Sequence, residues 1–338
     1  MPLIAVAEVE RVALAALEAA GVEAAHARIQ CDLLIEAELR GLPSHGLLRL
    51  PRLARRIANG VLDPAARGRH DWRGPAFLRV DGERGLGPVV ARHALDAIVP
   101  KARQYGVAVA AIANSNHIAM LAWYAEAMAA QGLVCIAFTT SEALVHPWGG
   151  RRAMIGTNPI AIGVPTADAP FVVDTATGVV SMGKIHDHAH RGQPLEPGWA
   201  LDADGEPTLD PVAAKSGAIA PFGQAKGYSL GLAFEMLVVA LTGSAIGEAV
   251  KGTLDADKVC NKGDLFILMD PGASAPARSL SDYLDAIRAE TPAAGFDRVR
   301  VPGDRSGETR ARHLAQGLPV ADEVWAELTA LARQDLKE

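Results

Sequence analysis

A chain of 338 residues, 49% hydrophobic and 21% charged, has the length and apolar content for two packed domains. Its net charge of -6 and pI near 5.9 exclude the basic footprint of a nucleic-acid binder, and the arginines between Arg49 and Arg56 form too short a run to supply one. Cys31, Cys135 and Cys260 are scattered without paired spacing, which argues against a disulfide framework or a cysteine metal site and for buried thiols in a cytoplasmic protein.

The opening MPLIAVAEVERVALAALEAAG lacks a basic lead and carries Glu8 and Glu10 where a signal peptide is apolar, so no export signal is expected. Apolar spacing over Val6–Ala20 and Ala24–Arg40 predicts two amphipathic helices, with Gly21 as the stop between them. Next comes RGLPSHGLLRLPRLARRIANG, Arg40–Gly60. If Gly46 opens a helix, Leu50, Leu53 and Ile57 form the buried stripe while Arg49, Arg52 and Arg56 share another side. His45 and Arg49 then stand four residues apart, about 6 Å along the axis, and point into one volume. An imidazole suits proton transfer near neutral pH, and a guanidinium grips a carboxylate through two hydrogen bonds. A Ser44 helix cap with a surface arginine face fits the same spacing, and the local residues leave both readings open.

A polar stretch from Gly60 to about Pro75 reads as a crossing between lobes. Beyond it the pattern becomes mixed α/β. AFLRV is a strand, Pro88–Tyr105 a helix opened by proline, VAVAAIA a strand, Ile118–Gln131 a helix and LVCIAFTT a strand. IAIGVP and FVVDTA add two strands, Gly205–Pro221 is loop-rich, and Gly227–Gly243 is an apolar helix interrupted by Glu235, read as a core or subunit-interface helix and not a membrane span. DLFILMD and two helices, Ser279–Glu290 and Ala321–Lys337, close the chain.

Within this order GERGLGPVV invites a dinucleotide reading but fails it: the third glycine position is Val90, and KARQYG offers no acid about 20 residues on. A glycine turn into a proline-started helix is the better reading. NSNH (Asn114–His117) stands where a strand gives way to a helix, a position equally suited to capping and to binding an anion. GTNP (Gly156–Pro159) is a turn able to expose a Thr hydroxyl. Lys226 in PFGQAKGYS sits at a helix entrance, where a cation is disfavoured unless an anion shares the site. HDHAH would align His186, His188 and His190 on a strand but only His186 and His190 on a helix. No acid other than Asp187 is near, so a solvated segment is expected and no metal; the rival reading is a metal-dependent hydrolase.

SHGLLRLPRL, NSNH, GTNP, VVDTAT, GWALDADGEPTLDP and PFGQAKGYSL, in this order and over nearly the whole chain, resemble the type 2 malate/L-lactate dehydrogenase family, which includes sulfolactate and ureidoglycolate dehydrogenases and cyclic-imine reductases. The resemblance implies an α/β, non-Rossmann fold. A helical lobe from both chain ends (residues 1–74 and 245–338) would carry an inserted, largely antiparallel α/β domain (residues 75–244) that binds NAD or NADP, in a homodimer. It implies His45 as catalytic acid/base with Ser44 as relay, and Arg49, Asn116 and Thr157 on the substrate. His117, Ile118, Ala119, Met120, Leu121, Asp174, Thr175, Ala176, Ala225, Lys226, Gly303, Asp304 and Arg305 would line the cofactor. The implied reaction is hydride transfer at C2 of a small 2-hydroxy or 2-oxo acid. Lys184 stands where the imine reductases carry an acid, which favours the dehydrogenase branch. As an added cation it would also favour a dianion such as malate or sulfolactate.

Overall fold

The computed structural model describes residues 2–273 and 275–333. In chain order its main elements are α1 (Val6–Ala19), α2 (Ala24–Leu39), α3 (Leu50–Ala58), β1 (Arg69–Trp72), β2 (Phe77–Asp81), α4 (Gly87–Tyr105), β3 (Val107–Ala113), α5 (Ala122–Ala129), β4 (Val134–Thr139), β5 (Ile160–Val164), β6 (Phe171–Thr175), α6 (Met182–Arg191), α7 (Ala225–Thr242), β7 (Gly263–Met269), α8 (Ala277–Arg288), α9 (Asp304–Gln316) and α10 (Asp322–Ala332). The C-terminal end of the last predicted helix lies outside the described residues.

α1 buries Val9, Val12, Ala13, Ala16 and Leu17, the i, i+3, i+4, i+7, i+8 stripe of one helix face. These residues meet Ala27, Cys31 and Leu34 of α2, Leu50 and Leu53 of α3 and Leu328 of α10 in one core. Leu3–Ile4 pairs antiparallel with Leu318–Pro319, so both ends of the chain close the same helical lobe.

The seven-stranded sheet runs β1-β2-β3-β7-β4-β5-β6, and only β2/β3 is parallel. Period-two alternation sends Ala110 and Ile112 of β3 and Phe266 and Leu268 of β7 into the core under α4 and α5. Their neighbours Ala111 and Leu265 pack with Phe138 and with Val238 of α7 on the other face.

β7 falls in the stretch expected to belong to the terminal lobe, yet it occupies the middle of the sheet, hydrogen-bonded along both edges. β1 replaces part of the expected crossing: its polar RHDW lies at a sheet edge, where exposed side chains are tolerated. The helix expected from Ile118 begins at Ala122, because Ile118–Leu121 form an irregular segment with Ala119 at φ +54°. Gly85–Gly87 is the expected turn into a helix, with Pro88 in its first turn. A side chain at Gly87 would collide with the carbonyls of Asn116 and His117, so glycine there lets the two loops touch.

α7 is long and apolar enough to cross a membrane by length and composition. One side nevertheless carries Glu235, 1% exposed, accepting from the amides of Gly156 and Gly247 and from Asn158 Nδ2 at 2.7 Å, while Leu230, Met236 and Leu237 on the other side are exposed.

Candidate active site

Between α2 and α3 the chain makes two tight turns, Pro43–His45 and Leu47–Arg49, in place of a helix opening at Gly46. Glu38 of α2 supports them from below. Its carboxylate accepts from the Leu47 amide at 2.8 Å, and a side chain at Gly46 would strike it. Burial pushes the Glu38 carboxyl up to about 7, with the Leu47 amide opposing. A carboxyl near 4.5 when unfolded and near 7 when folded binds more protons in the folded state, so stability declines as pH rises through that window. Glu38→Gln keeps an acceptor for Leu47 without the titration. Its Tm should gain on wild type by a few degrees between pH 5 and pH 8, measured by thermal melts across that range.

On this support Ser44 Oγ lies 3.0 Å from His45 Nδ1. Arg49 folds back over the turn, donating through Nε to the Ser44 carbonyl at 2.7 Å and through Nη1 to the Thr253 carbonyl at 3.2 Å. Its Nη2 makes no hydrogen bond among the described residues, so a planar fork remains for an acid. Burial, and after it the Arg49 guanidinium, pull the His45 imidazole down to about 4, which leaves a neutral base at pH 7.

The His117 ring lies 5.7 Å from that of His45, centroid to centroid. His117 Nδ1 accepts from the Ala119 amide at 3.1 Å, and burial followed by Arg49 holds the ring well below its usual range. Asn116, 1% exposed, is committed to structure: Nδ2 donates to the carbonyls of Arg84 and Gly85, and Oδ1 accepts from Arg56 at 3.0 Å. Thr157 faces Ser141, Oγ to Oγ1 3.2 Å. The side chains of Ile118, Met120 and Leu121 are buried in the core, so only their backbone is available to a ligand.

From this loop a trail of contacts leads along β6. The Ala122 amide donates to Asp174 Oδ2 at 2.8 Å, a carboxylate at the N-terminus of α5. Thr175 and Ala176 follow, and the Phe222 amide donates to Thr177, which brings Ala225 and the exposed Lys226 alongside. At the other end of β6, Phe171 and Val172 border a cleft of about 1170 Å³ with Trp123 of α5 and Gly303 and Asp304 of α9. Asp304 is engaged by Arg288, and Arg305 is exposed and does not border the cleft. The cleft is large enough for part of an elongated dinucleotide, and of the expected cofactor residues Gly303 and Asp304 border it.

A family model described as malate/L-lactate dehydrogenase matches residues 4–329. The chain belongs to the malate/L-lactate dehydrogenase family. A dehydrogenase from Sinorhizobium meliloti has a structure similar to this one, with a TM-score of 0.94, 52% identity and 98% of each chain covered. Among curated relatives, the (2R)-3-sulfolactate dehydrogenase (NADP(+)) of Chromohalobacter salexigens is 37% identical over 98% of each chain. The delta(1)-pyrroline-2-carboxylate reductase 1 of Burkholderia ambifaria is 36% identical over 96% of each. As a member, this malate/L-lactate dehydrogenase family chain is an NAD(P)-dependent dehydrogenase.

Lys184 and the histidines of HDHAH all lie on α6. Lys184 does not turn toward Arg49: its ammonium lies over the Trp199 ring, 5.5 Å from the centroid. The part of α6 that does reach the site is Gly183, where a Cβ would come 3.3 Å from that of Ser44. α6 is a helix, capped by Ser181, that exposes His186 and His190 while His188 turns to the Pro194 carbonyl and the Trp199 edge. Among the described residues no group of three or more His, Cys, Asp or Glu side chains is placed to hold a metal ion. Sequence reasoning passed over Glu38 and Gln30, which look like ordinary members of an amphipathic helix. Their signal was a polar side chain on its apolar face.

Proposed function

We propose that this dehydrogenase moves a hydride between NAD(P) and C2 of a small 2-hydroxy or 2-oxo acid, with His45 as acid/base and Arg49 on the carboxylate. The observation that carries the reading is the Ser44–His45 hydrogen bond with the Arg49 fork closed over the same turn. With its Nδ1–H donated to Ser44 Oγ, the neutral imidazole keeps the Nε2 lone pair for the substrate hydroxyl proton. In reduction the protonated ring returns that proton to the oxyanion. Arg49 fixes the acid so that C2 stands beside the imidazole, and its charge favours the alkoxide that forms. The dinucleotide, when bound, supplies or accepts the hydride. The cofactor would lie along His117–Leu121, Asp174–Ala176, Ala225–Lys226 and Gly303–Asp304.

The test is absorbance at 340 nm with each reduced cofactor against 2-oxo acids and cyclic imines. Oxidation of the cofactor with 2-oxo acids is expected; turnover of cyclic imines alone would move the chain to the reductase branch. Lys226 pairs with no acid among the described residues, and its charge at the α7 entrance makes sense beside a phosphate. Lys226→Ala should weaken NAD(P) binding about 10- to 100-fold in a fluorescence titration, with little change in Tm. The exposed apolar side of α7 is where we place the homodimer contact.

A further inference from the structure

We propose that Arg52, with Gln30 beside it, is a second anion anchor, so that the substrate is a dianion bearing another acidic head group beyond the carboxylate held by Arg49. The proposal rests on the hydride-transfer reading above and names its substrate class.

Arg49, Arg52 and Arg56 line one small cavity, walled by Leu34 and Leu53 and closed by Thr253. Their charges are used differently. Arg56, 3% exposed, is consumed by Asn116 and by the carbonyls of Asp255 and Lys258. Arg49 keeps only its outer fork. Arg52, half-buried one turn further along, has no hydrogen bond and no ion pair among the described residues, although burial disfavours its charge and Arg55 and Arg56 add repulsion. The two carboxylates that feel it are turned elsewhere: Asp255 accepts from the amides of Lys258 and Gly252, and Glu142 from those of Thr253 and Leu254 and from the Thr253 hydroxyl.

Gln30 supplies an independent sign. It is 2% exposed on α2, lines the same cavity, and its Oε1 has no partner. A buried amide oxygen without a partner is costly, and no hydrogen bond engages the Nε2–H₂ of the same side chain among the described residues, so it remains a donor for an anion. The cavity, about 20 Å³, has room for a water-sized group, so it admits the tip of a substrate and not its body. His45 does not line it. Arg49 lines the same cavity as Arg52, so a molecule with its C1 carboxylate on Arg49 and C2 at His45 can set a second acidic group against Arg52. An anion there neutralises a guanidinium that nothing else neutralises, whereas a methyl group or a ring leaves it bare.

The experiment compares kcat/KM for oxaloacetate and 3-sulfopyruvate with that for pyruvate. Wild type should favour the dianions, and Arg52→Met should cut that preference about 10- to 100-fold, the range of one charge-assisted contact, with partial recovery in Arg52→Lys. Arg55→Met, an exposed position on the same helix, should keep the wild-type ratio. Equal losses for pyruvate and the dianions, or a wild type without preference, would overturn the proposal. A second arm needs no turnover: calorimetric binding of malonate and of acetate to the full-length protein with NAD(P)+. If no 2-oxo acid turns over, the hydride-transfer reading fails, and this arm still decides Arg52. Malonate bound more tightly than acetate, with the difference lost in Arg52→Met, supports the anchor; malonate no tighter than acetate, or a difference that survives the substitution, removes it.

Discussion

Replacing His45 with glutamine should lower kcat by about 10²–10⁴-fold, the share of a rate that a positioned proton donor or acceptor supplies. Glutamine keeps a hydrogen-bonding side chain next to Ser44 but cannot carry a proton between solvent and substrate. The proposed dinucleotide contacts lie along β6 and the α7 entrance, so the NAD(P) dissociation constant, read by fluorescence titration, should stay within about twofold. The pH profile separates this role from a structural one. Since the free imidazole titrates at about 4, it is already a base at neutral pH, and kcat/KM for oxidation of the hydroxy acid should be level down to about pH 5 and fall below it. Activity within a few fold of wild type in His45→Gln would remove His45 from the chemistry.

Arg49→Lys should cost about 100-fold in kcat/KM for 2-oxo acids, because an ammonium offers a point charge where the site presents a planar fork. The substitution also gives up the Nε bond to the Ser44 carbonyl that holds the turn, so part of the loss should come from the turn that carries His45. Amide analogues of the substrate divide the two contributions. If the guanidinium grips the carboxylate, the loss is larger for the acid than for the amide; equal losses would assign Arg49 to the turn alone.

Much of this was legible in the residues themselves. The α1 stripe, the proline entry to α4 and the apolar strands around β3 and β7 each follow from a local period that tertiary packing reinforces. What escaped depends on distance along the chain. β7 belongs to the sheet centre because of partners more than 120 residues earlier, which no window of sequence displays. β1 is polar because it is an edge, and α9 is polar because only His313 is buried from it, so neither announces itself by an apolar face. In the site, Ser44, His45 and Arg49 are close in sequence and were found together. The Trp199 ring that takes the Lys184 ammonium lies 15 residues on, across the turns after α6, a pairing no local spacing displays. Arg52 was seen as one of three arginines sharing a side, but only the structure shows that Arg56 is spent on Asn116 and the backbone while Arg52 is not.

The most direct measurement follows the hydride itself. Enzyme, a 2-oxo acid and NAD(P)H carrying deuterium at both C4 positions are incubated, and the product is examined by mass spectrometry and NMR. One deuterium per product is expected, on C2, in an amount matching the cofactor oxidised; an unlabelled hydroxy acid, deuterium on another carbon, or cofactor left reduced with every 2-oxo acid would contradict hydride transfer to C2.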